Sequence, residues 1–448
     1  MGSTFDAIIL GGGFAGLSCG AALSAEGRRA LLLEKKPHLG GRAYSFRDAR
    51  TGDVVDNGQH LFMGCYRQTR AFLAQIGTAD KLSFADPIRV DYADQDGRRD
   101  ALVCPAVLGS PLHLAAGVFG LKGLSLFDKL GLLRLDRYVR RARQAPRVPA
   151  ELDGLTVRQW LDSLGQSRRI QERLFDPIAL GALNDAPEVA AATGFVQVLR
   201  EAFYSDVEGT RLGLATVGLS DLYTSAAAEF IEKRGGQVVL NTKIKAAGEG
   251  FVLAEDGKRF EAPVIVSTLP PWDLKKLDLP SGWLGPWQDL KPAPIVSISL
   301  WLDREVIREP LVGMLGTEVQ WAFNKSKILS LDDGGQYLAL VISGAHRQVS
   351  EDPRALFEAA KRDLARCFPE FQKATIKRWK VVKEPFATLS PVPGSDALRP
   401  EIGFAAPGLV LAGDWTQTGL PATIESAVAS GRKAAQAVLE RKNHAEVR

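Results

Sequence analysis

The stretch Phe5-Asp6-Ala7-Ile8-Ile9-Leu10-Gly11-Gly12-Gly13-Phe14-Ala15-Gly16 constrains the fold of this chain more than any other. An apolar run over residues 7–10 ends in a glycine turn. Small residues with helical spacing follow, and a second apolar run, 30–33, ends at Glu34. The order predicts strand, tight turn, helix, strand, acid. Gly11 permits the sharp turn, Gly13 lets the backbone approach a pyrophosphate, and Gly16 lets the helix lie close on the strand. The amides of Phe14 and Ala15 open the helix and point toward the phosphates. Glu34, with Lys35 beside it, stands where an acid binds the ribose hydroxyls of an adenosine. The pattern predicts an α/β fold with a Rossmann-type parallel sheet that binds a dinucleotide.

Which dinucleotide it binds is read further along. After Glu34 and Lys35 the chain makes a second glycine turn, Gly40-Gly41-Arg42, where an NAD domain would pass into another helix. Paired glycines admit a ligand close to the backbone, and Arg42 suits a phosphate or a flavin edge. Near the other end, an apolar run at 408–411 precedes Gly413-Asp414-Trp415, and Ala422-Thr423-Ile424 opens a helix. Asp414 is placed to hold ribityl or phosphate oxygens, and that helix start favours negative charge on a reduced flavin. Together these segments resemble the FAD-containing amine oxidase and phytoene desaturase superfamily. The resemblance implies a glutathione-reductase-like FAD domain joined to a discontinuous α+β substrate domain.

Softer strings narrow the resemblance. Val55-Asp56-Asn57-Gly58-Gln59-His60, Gly64-Cys65-Tyr66-Arg67, residues 179–188 and residues 217–223 look like the squalene-associated FAD-dependent desaturases, understood as hydroxysqualene dehydroxylases. Gly181 departs from that pattern, where an alanine is expected. The likeness runs from residue 5 to about residue 435. It implies a C30 isoprenoid substrate, loss of an allylic hydroxyl as water, and hydride delivery from reduced flavin. An electron donor of unidentified nature would then reduce the flavin. Gly58 and Gln59 are expected beside the flavin edge, Val239 beside the adenine, and Thr268 where the chain crosses between domains.

A chain of 448 residues, 46% hydrophobic and 24% charged, has room for two domains with large cores. The flavin domain is expected from residues 1–70, 206–274 and 396–448, and the substrate domain from 71–205 and 275–395. The alternation over residues 295–302 predicts a half-buried strand, with 338–342 and 376–382 as its neighbours. A net charge of +4 gives no case for nucleic acid. Four scattered cysteines without metal or redox spacing point to a reducing cytoplasm. No targeting or spanning segment is expected. Within 106–147, an apolar stretch adjoins a segment with eight Lys or Arg against two acids. This suits peripheral docking on the inner face of an anionic membrane, or a solvated basic face on a substrate-domain helix pair.

Asp56, Gln59, His60 and Tyr66 are the catalytic candidates, because departure of a hydroxyl needs an acid in a dry site. His60 serves either as that acid or as a hydrogen-bonded brace. Asp56 also suits fixing backbone N–H groups in its own turn. Asn184 and Asp185 are further candidates, and Trp415 is expected to pack near the flavin. No metal site is expected. Two other readings remain open: an oxidative carotenoid- or phytoene-type desaturase, and a flavin-bound lipid carrier or scaffold without turnover.

Overall fold

Ala7–Leu10 lies inside a six-stranded sheet in the computed structural model, which describes residues 5–85, 88–105, 107–145, 148–332 and 334–446. The strand order is Gln237–Val239, Ala30–Leu33, Ala7–Leu10, Ile265–Ser267, Leu409–Leu411, Gly403–Ala406. The first five run parallel and the last is antiparallel. Side chains alternate across the sheet, and both faces are covered. Ile9, Leu32, Val266 and Val410 pack beneath helices that include Phe14–Ala25, Leu219–Glu232 and Ile424–Glu446. Ile8, Leu10, Leu31 and Ile265 pack on the opposite side with Trp283 and Trp287. Burial on both faces is why these strands are apolar throughout rather than alternating.

Gly16 shows why the first helix can sit where it does. A Cβ built on Gly16 would fall 1.9 Å from the Gly11 carbonyl oxygen. Gly431, on the helix Ile424–Glu446, plays the same part against its neighbour: its Cβ would fall 2.1 Å from Ala15 O.

The second large sheet has seven strands, ordered Ile376–Leu389, Pro292–Leu302, Gln336–Ser343, Trp321–Asn324, Leu311–Leu315, Ile88–Asp94, Arg99–Cys104. The strand Pro292–Leu302 pairs with the two neighbours its alternation predicts. Its Val296, Ile298 and Leu300 pack under the helix Pro353–Cys367, with Leu356 and Leu364. Ile295, Ser297, Ser299 and Trp301 occupy the other face, toward the flavin-sheet segments. A helical layer completes this half, with Phe195 in edge-to-face contact with both Trp160 and Phe175 at its core.

Several expectations differ from the structure. The sequence of 237–246 predicts a single strand, but Asn241 turns left-handed at φ 54°, and the chain leaves the six-stranded sheet for a three-stranded meander beginning at Ile244–Gly248. Asn tolerates that conformation because its side chain bonds locally. The leucine-rich sequence of 71–205 predicts mainly helix, yet the segment also carries the hairpin Ile88–Asp94/Arg99–Cys104. Residues 277–290, assigned from the sequence to the second domain, bury Trp283 and Trp287 against the flavin sheet. Ala106 and Arg147, the ends of the basic-apolar segment, lie outside the described residues, as do residues 1–4 and 447–448. No helix among the described residues is long and apolar enough to cross a membrane.

Candidate active site

In a parallel sheet every strand delivers its C-terminal end to one edge. Here that edge gathers the turns after Leu10, Leu33, Val239, Ser267 and Leu411. Two glycine turns face each other across it. A Cβ on Gly41 would fall 3.0 Å from Gly13 Cα, and one on Gly13 would fall 3.6 Å from Gly41 Cα. The facing walls are therefore bare backbone, a cradle suited to a pyrophosphate. The helix Phe14–Ala25 closes its first turn with Leu17 N–H on Gly13 O at 2.9 Å. The amides of Phe14, Ala15 and Gly16 precede that bond and are free of helical partners.

Glu34 is buried, and its carboxylate accepts Gly12 N–H at 2.7 Å and Lys36 N–H at 2.9 Å. Each oxygen keeps a second acceptor position for a ribose diol. The Val239 carbonyl accepts Glu34 N–H at 2.9 Å, so the edge strand positions the acid. Thr268 braces the first turn by donating to Leu10 O at 2.8 Å. Lys35 is turned outward into an ion pair with Asp273 at 2.8 Å.

Arg42 forms an ion pair with Asp414, and so ties the second glycine turn to the turn after Leu411. Two residues that the sequence reading missed stabilise this junction. Tyr223 stacks on Phe14 at 3.7 Å, and its hydroxyl donates to the carbonyls of Gly40 and Ala43, each at 2.9 Å. Arg399, 9% exposed, donates to Asp414 O at 3.1 Å, Thr416 O at 2.7 Å and Leu420 O at 2.9 Å. No motif marks Arg399, because its partners are carbonyls that any residue would supply. Trp415 is buried in the core behind this loop, against Trp287.

The segment 56–66 connects this edge to the second sheet. Asp56 Oδ1 accepts Ser45 Oγ at 3.0 Å and Leu219 N–H at 3.1 Å. Its Oδ2 meets Lys325 Nζ at 2.8 Å, with both side chains 4% exposed. Asp56 therefore does not fix N–H groups of its own turn, as the sequence suggested; its bonds run to Ser45 and Leu219, and its ion pair crosses between the two sheets. Asn57 accepts Tyr44 N–H at 3.0 Å and donates to Arg42 O and Glu384, each at 3.1 Å. His60 Nδ1 lies 3.1 Å from Gly58 O, an acceptor only, so that nitrogen carries the proton. Burial, with smaller contributions from Lys325 and Arg42, holds His60 below the usual imidazole range despite the opposing pull of Asp56. His60 is thus a neutral ring near pH 7, with Nε2 an acceptor. This fits the brace rather than the acid. Gln59 is partly buried beside it.

Tyr66 bonds Thr423, and burial pushes its phenol above the usual range, so it stays protonated. The helix starting at Ile424 has Thr423 Oγ1 accepting Ser426 N–H at 3.3 Å, with Ala422 just ahead of it. Glu425 spans to the next helix, accepting Gln68 N–H at 2.8 Å and Thr69 N–H at 2.9 Å. Asn184 and Asp185 are used structurally: Asn184 donates to Thr388 at 2.9 Å, and Asp185 holds His346 at 2.9 Å and Ser390 at 2.5 Å.

Between these segments and the seven-stranded sheet lies an apolar layer. Phe323, Ala339 and Val341 form its buried part, and Leu61, Leu212, Leu214, Ile295 and Trp321 pack on it while keeping partial exposure. The row Ser297, Val341, Trp321 runs across three paired strands. In it, Ser297 Oγ and Trp321 Nε1 are buried without a hydrogen-bond partner. A Cβ on Gly58 would stand 3.9 Å from both Ser297 Oγ and His60 Cε1. The polar side chains of Ser297 and His60 therefore meet the apolar layer at Gly58.

A two-sheet fold with this glycine edge defines a dinucleotide-binding oxidoreductase class. Comparison with known proteins carries the assignment further. The family model for flavin-containing amine oxidoreductases matches residues 14–439, and the chain belongs to that family. Its cofactor is FAD, and the bare glycine cradle and the spare acceptor positions of Glu34 fit that group. The chain is 28% identical to a hydroxysqualene dehydroxylase of Sinorhizobium fredii, covering 97% of this chain and 98% of that one. It is 26% identical to a 15-cis-phytoene desaturase of Glycine max, covering 97% and 79%. The fold is shared with cyclohexylamine oxidase from Brevibacterium oxydans, at TM-score 0.75 and 17% identity over 98% of this chain and 99% of that one.

Proposed function

We propose that this flavoprotein reductively dehydroxylates hydroxysqualene to squalene. The observation that carries the reading is the meeting of polar and apolar groups at Gly58. An apolar layer suits a C30 hydrocarbon chain, and a hydroxyl on that chain gives the buried, unpartnered Ser297 Oγ and the partly buried His60 a polar group to bind. The dehydroxylase relative matched over nearly its whole length adds support. FAD, when bound, supplies the hydride. The chain's own residues orient the hydroxyl, exclude water and stabilise charge. The apolar walls lower the local dielectric, which strengthens the Asp56–Lys325 pair and any contact it makes with a departing oxygen.

The test is anaerobic. Reduced enzyme should convert hydroxysqualene to squalene, with label transferred from deuterated flavin N5 when solvent exchange is slow, and oxidised enzyme should not. Desaturation of a phytoene-type hydrocarbon by the oxidised enzyme would install the second reading, which the phytoene desaturase relatives favour. Binding of either lipid without flavin turnover would leave a carrier.

The reading includes a cytoplasmic protein docked on the inner membrane face and reduced by a separate electron donor. Leu126, Leu130 and Leu133 recur at helical spacing on the helix Leu126–Gln144, and the same exposed stripe continues as Arg137 and Arg141. Phe119 and Phe127, 50% and 78% exposed, flank its apolar end. Such a stripe inserts apolar-end first and rests its arginines among anionic headgroups. Reversing the charge of Arg137, Arg140 and Arg141 should weaken binding to anionic liposomes by about 1 kcal/mol per residue. Equal co-sedimentation of variant and parent at low and high salt would leave a solvated face.

A further inference from the structure

We propose that Lys325 is the catalytic residue that gives its proton to the departing hydroxyl, with Asp56 as the counter-charge left behind. The assignment rests on the dehydroxylation reading. Lys325 opens the short helix Lys325–Ile328, directly after the strand Trp321–Asn324 that brings Trp321 and Phe323 to the apolar layer. Its side chain is 4% exposed, and its ammonium is bonded to Asp56 Oδ2 at 2.8 Å. An ammonium has three donors, and no other partner of this one is found among the described residues. Two buried N–H groups left unmet are costly unless a ligand meets them. Asp56 has little freedom to follow the ammonium elsewhere, because Ser45 Oγ and Leu219 N–H hold its other oxygen at 3.0 and 3.1 Å.

The neighbours narrow the ligand. Two residues after Asp56, Gly58 faces Ser297 Oγ, which is buried and unpartnered, and His60 Cε1. His60 is neutral with Nε2 as an acceptor, so it can receive a hydroxyl proton's hydrogen bond but holds no proton there to give. Lys325 is the proton-bearing donor whose charge reaches that ring, and it is anchored two residues before Gly58 through Asp56. The ligand that satisfies this set is one alcohol oxygen on an apolar chain: it accepts from Lys325 and donates to His60 or Ser297.

The step balances. The allylic carbon–oxygen bond breaks with its electron pair staying on oxygen. That oxygen takes a proton from Lys325 Nζ and leaves as water, and Lys325 becomes a neutral amine. The carbon is left as an allylic cation. A lysine that stayed charged would repel that cation, whereas a lysine that has given up its proton leaves the Asp56 carboxylate unpaired to stabilise it. Reduced FAD, when bound, would supply the hydride that neutralises the cation, and Lys325 is reprotonated from water on product release.

Lys325→Arg and Lys325→Met separate charge from proton transfer. The guanidinium keeps the pair with Asp56 but does not release its proton. In the arginine variant, FAD content and lipid affinity should hold, while single-turnover squalene formation by reduced enzyme should fall about 10²–10⁴-fold. The methionine variant should also lose its preference for hydroxysqualene over squalene, by about 10- to 100-fold, read on oxidised protein from the flavin absorbance change. An arginine variant within about threefold of the parent, or one that loses its FAD, would reduce Lys325 to an ion pair across the domains. Parent enzyme that fails to convert hydroxysqualene would instead overturn the dehydroxylation reading, an outcome distinct from either.

Discussion

The glycine edge of the six-stranded sheet and the apolar layer of the seven-stranded sheet recognise ligands by opposite means. At the first, the surface is main chain: bare walls at Gly13 and Gly41, helix-start amides, and carbonyls pinned by Thr268, Tyr223 and Arg399. At the second, the surface is side chain: Ser297 and Trp321 stand in one row across paired strands, and Lys325, just past the end of Trp321's strand, pairs with Asp56 from the other half. A backbone site tolerates almost no added atom where chain crosses chain. A side-chain site tolerates small changes of volume but not of polarity.

The same substitution in both regions tests that contrast and should give the largest difference. In Gly16→Ala the new Cβ meets Gly11 O at 1.9 Å, and neither backbone can yield without moving the strand. Such overpacking costs about 1–3 kcal/mol or more, and FAD content per chain should collapse. In Gly181→Ala the Cβ would sit 3.5 Å from Trp321 Nε1, an ordinary contact. That variant should keep FAD and stability close to the parent. Equal FAD content in the two would break the comparison.

This contrast also explains what was legible in the sequence. Gly11, Gly13, Gly16, Glu34, Gly41, Arg42 and Asp414 stand out because a ligand-approaching backbone leaves few residue types possible at fixed spacing. The strand Pro292–Leu302 and its partners were readable because one face is apolar over its whole length. Lys325 was not readable: one lysine after an ordinary strand has no signature, and its meaning depends on a partner 269 positions away. Arg399 was hidden for a different reason, since most of its bonds go to carbonyls and its side-chain partner, Asp396, is only a near neighbour in sequence. The hairpin at Ile88–Asp94 was missed because it carries polar Arg89 and Asp91, which pair with each other on the exposed side.

Arg399→Met comes next in size. It leaves the carbonyls of Asp414, Thr416 and Leu420 without their buried donor, and Asp396 without its cation. Removing one member of such a buried set costs about 3–5 kcal/mol. The loop that presents Asp414 to the cofactor should loosen, so the Kd for FAD, measured by fluorescence recovery on titrating apoprotein, should rise well beyond that of Arg399→Lys. Unchanged affinity would mean that the Arg42–Asp414 pair suffices to hold the turn.

Ser297→Ala is smaller and moves two readouts in opposite directions. The hydroxyl is buried and has no hydrogen-bond partner among the described residues, so its removal should leave unfolding stability unchanged or raise it by about 1 kcal/mol. FAD content should not change. Affinity for hydroxysqualene should fall several-fold while affinity for squalene holds. A matching loss for both lipids would show that the residue shapes the wall without reading the hydroxyl.

The smallest effect lies outside both ligand surfaces, where the loop after the strand Ser45–Arg47 is tied to the sheet edge. Asp48 accepts Arg50 N–H at 2.9 Å and Lys380 Nζ at 3.0 Å, and lies beside Arg378 at 2.5 Å. These partners, the Arg50 amide first, bring its carboxyl down to about 2. The folded protein therefore keeps Asp48 ionised at pH values where the unfolded chain protonates it. The stabilisation is complete above the ordinary aspartate range near pH 4 and is lost as pH falls toward 2. Asp48→Asn should lower stability by about 1 kcal/mol or less at pH 7, because Lys380 is partly solvated. The gap between parent and variant in urea unfolding should narrow as pH drops from 5 to 3. A gap that stays constant over that range would mean that the asparagine fails through lost hydrogen bonds to the loop, and that charge contributes nothing to holding the flavin half against the sheet edge.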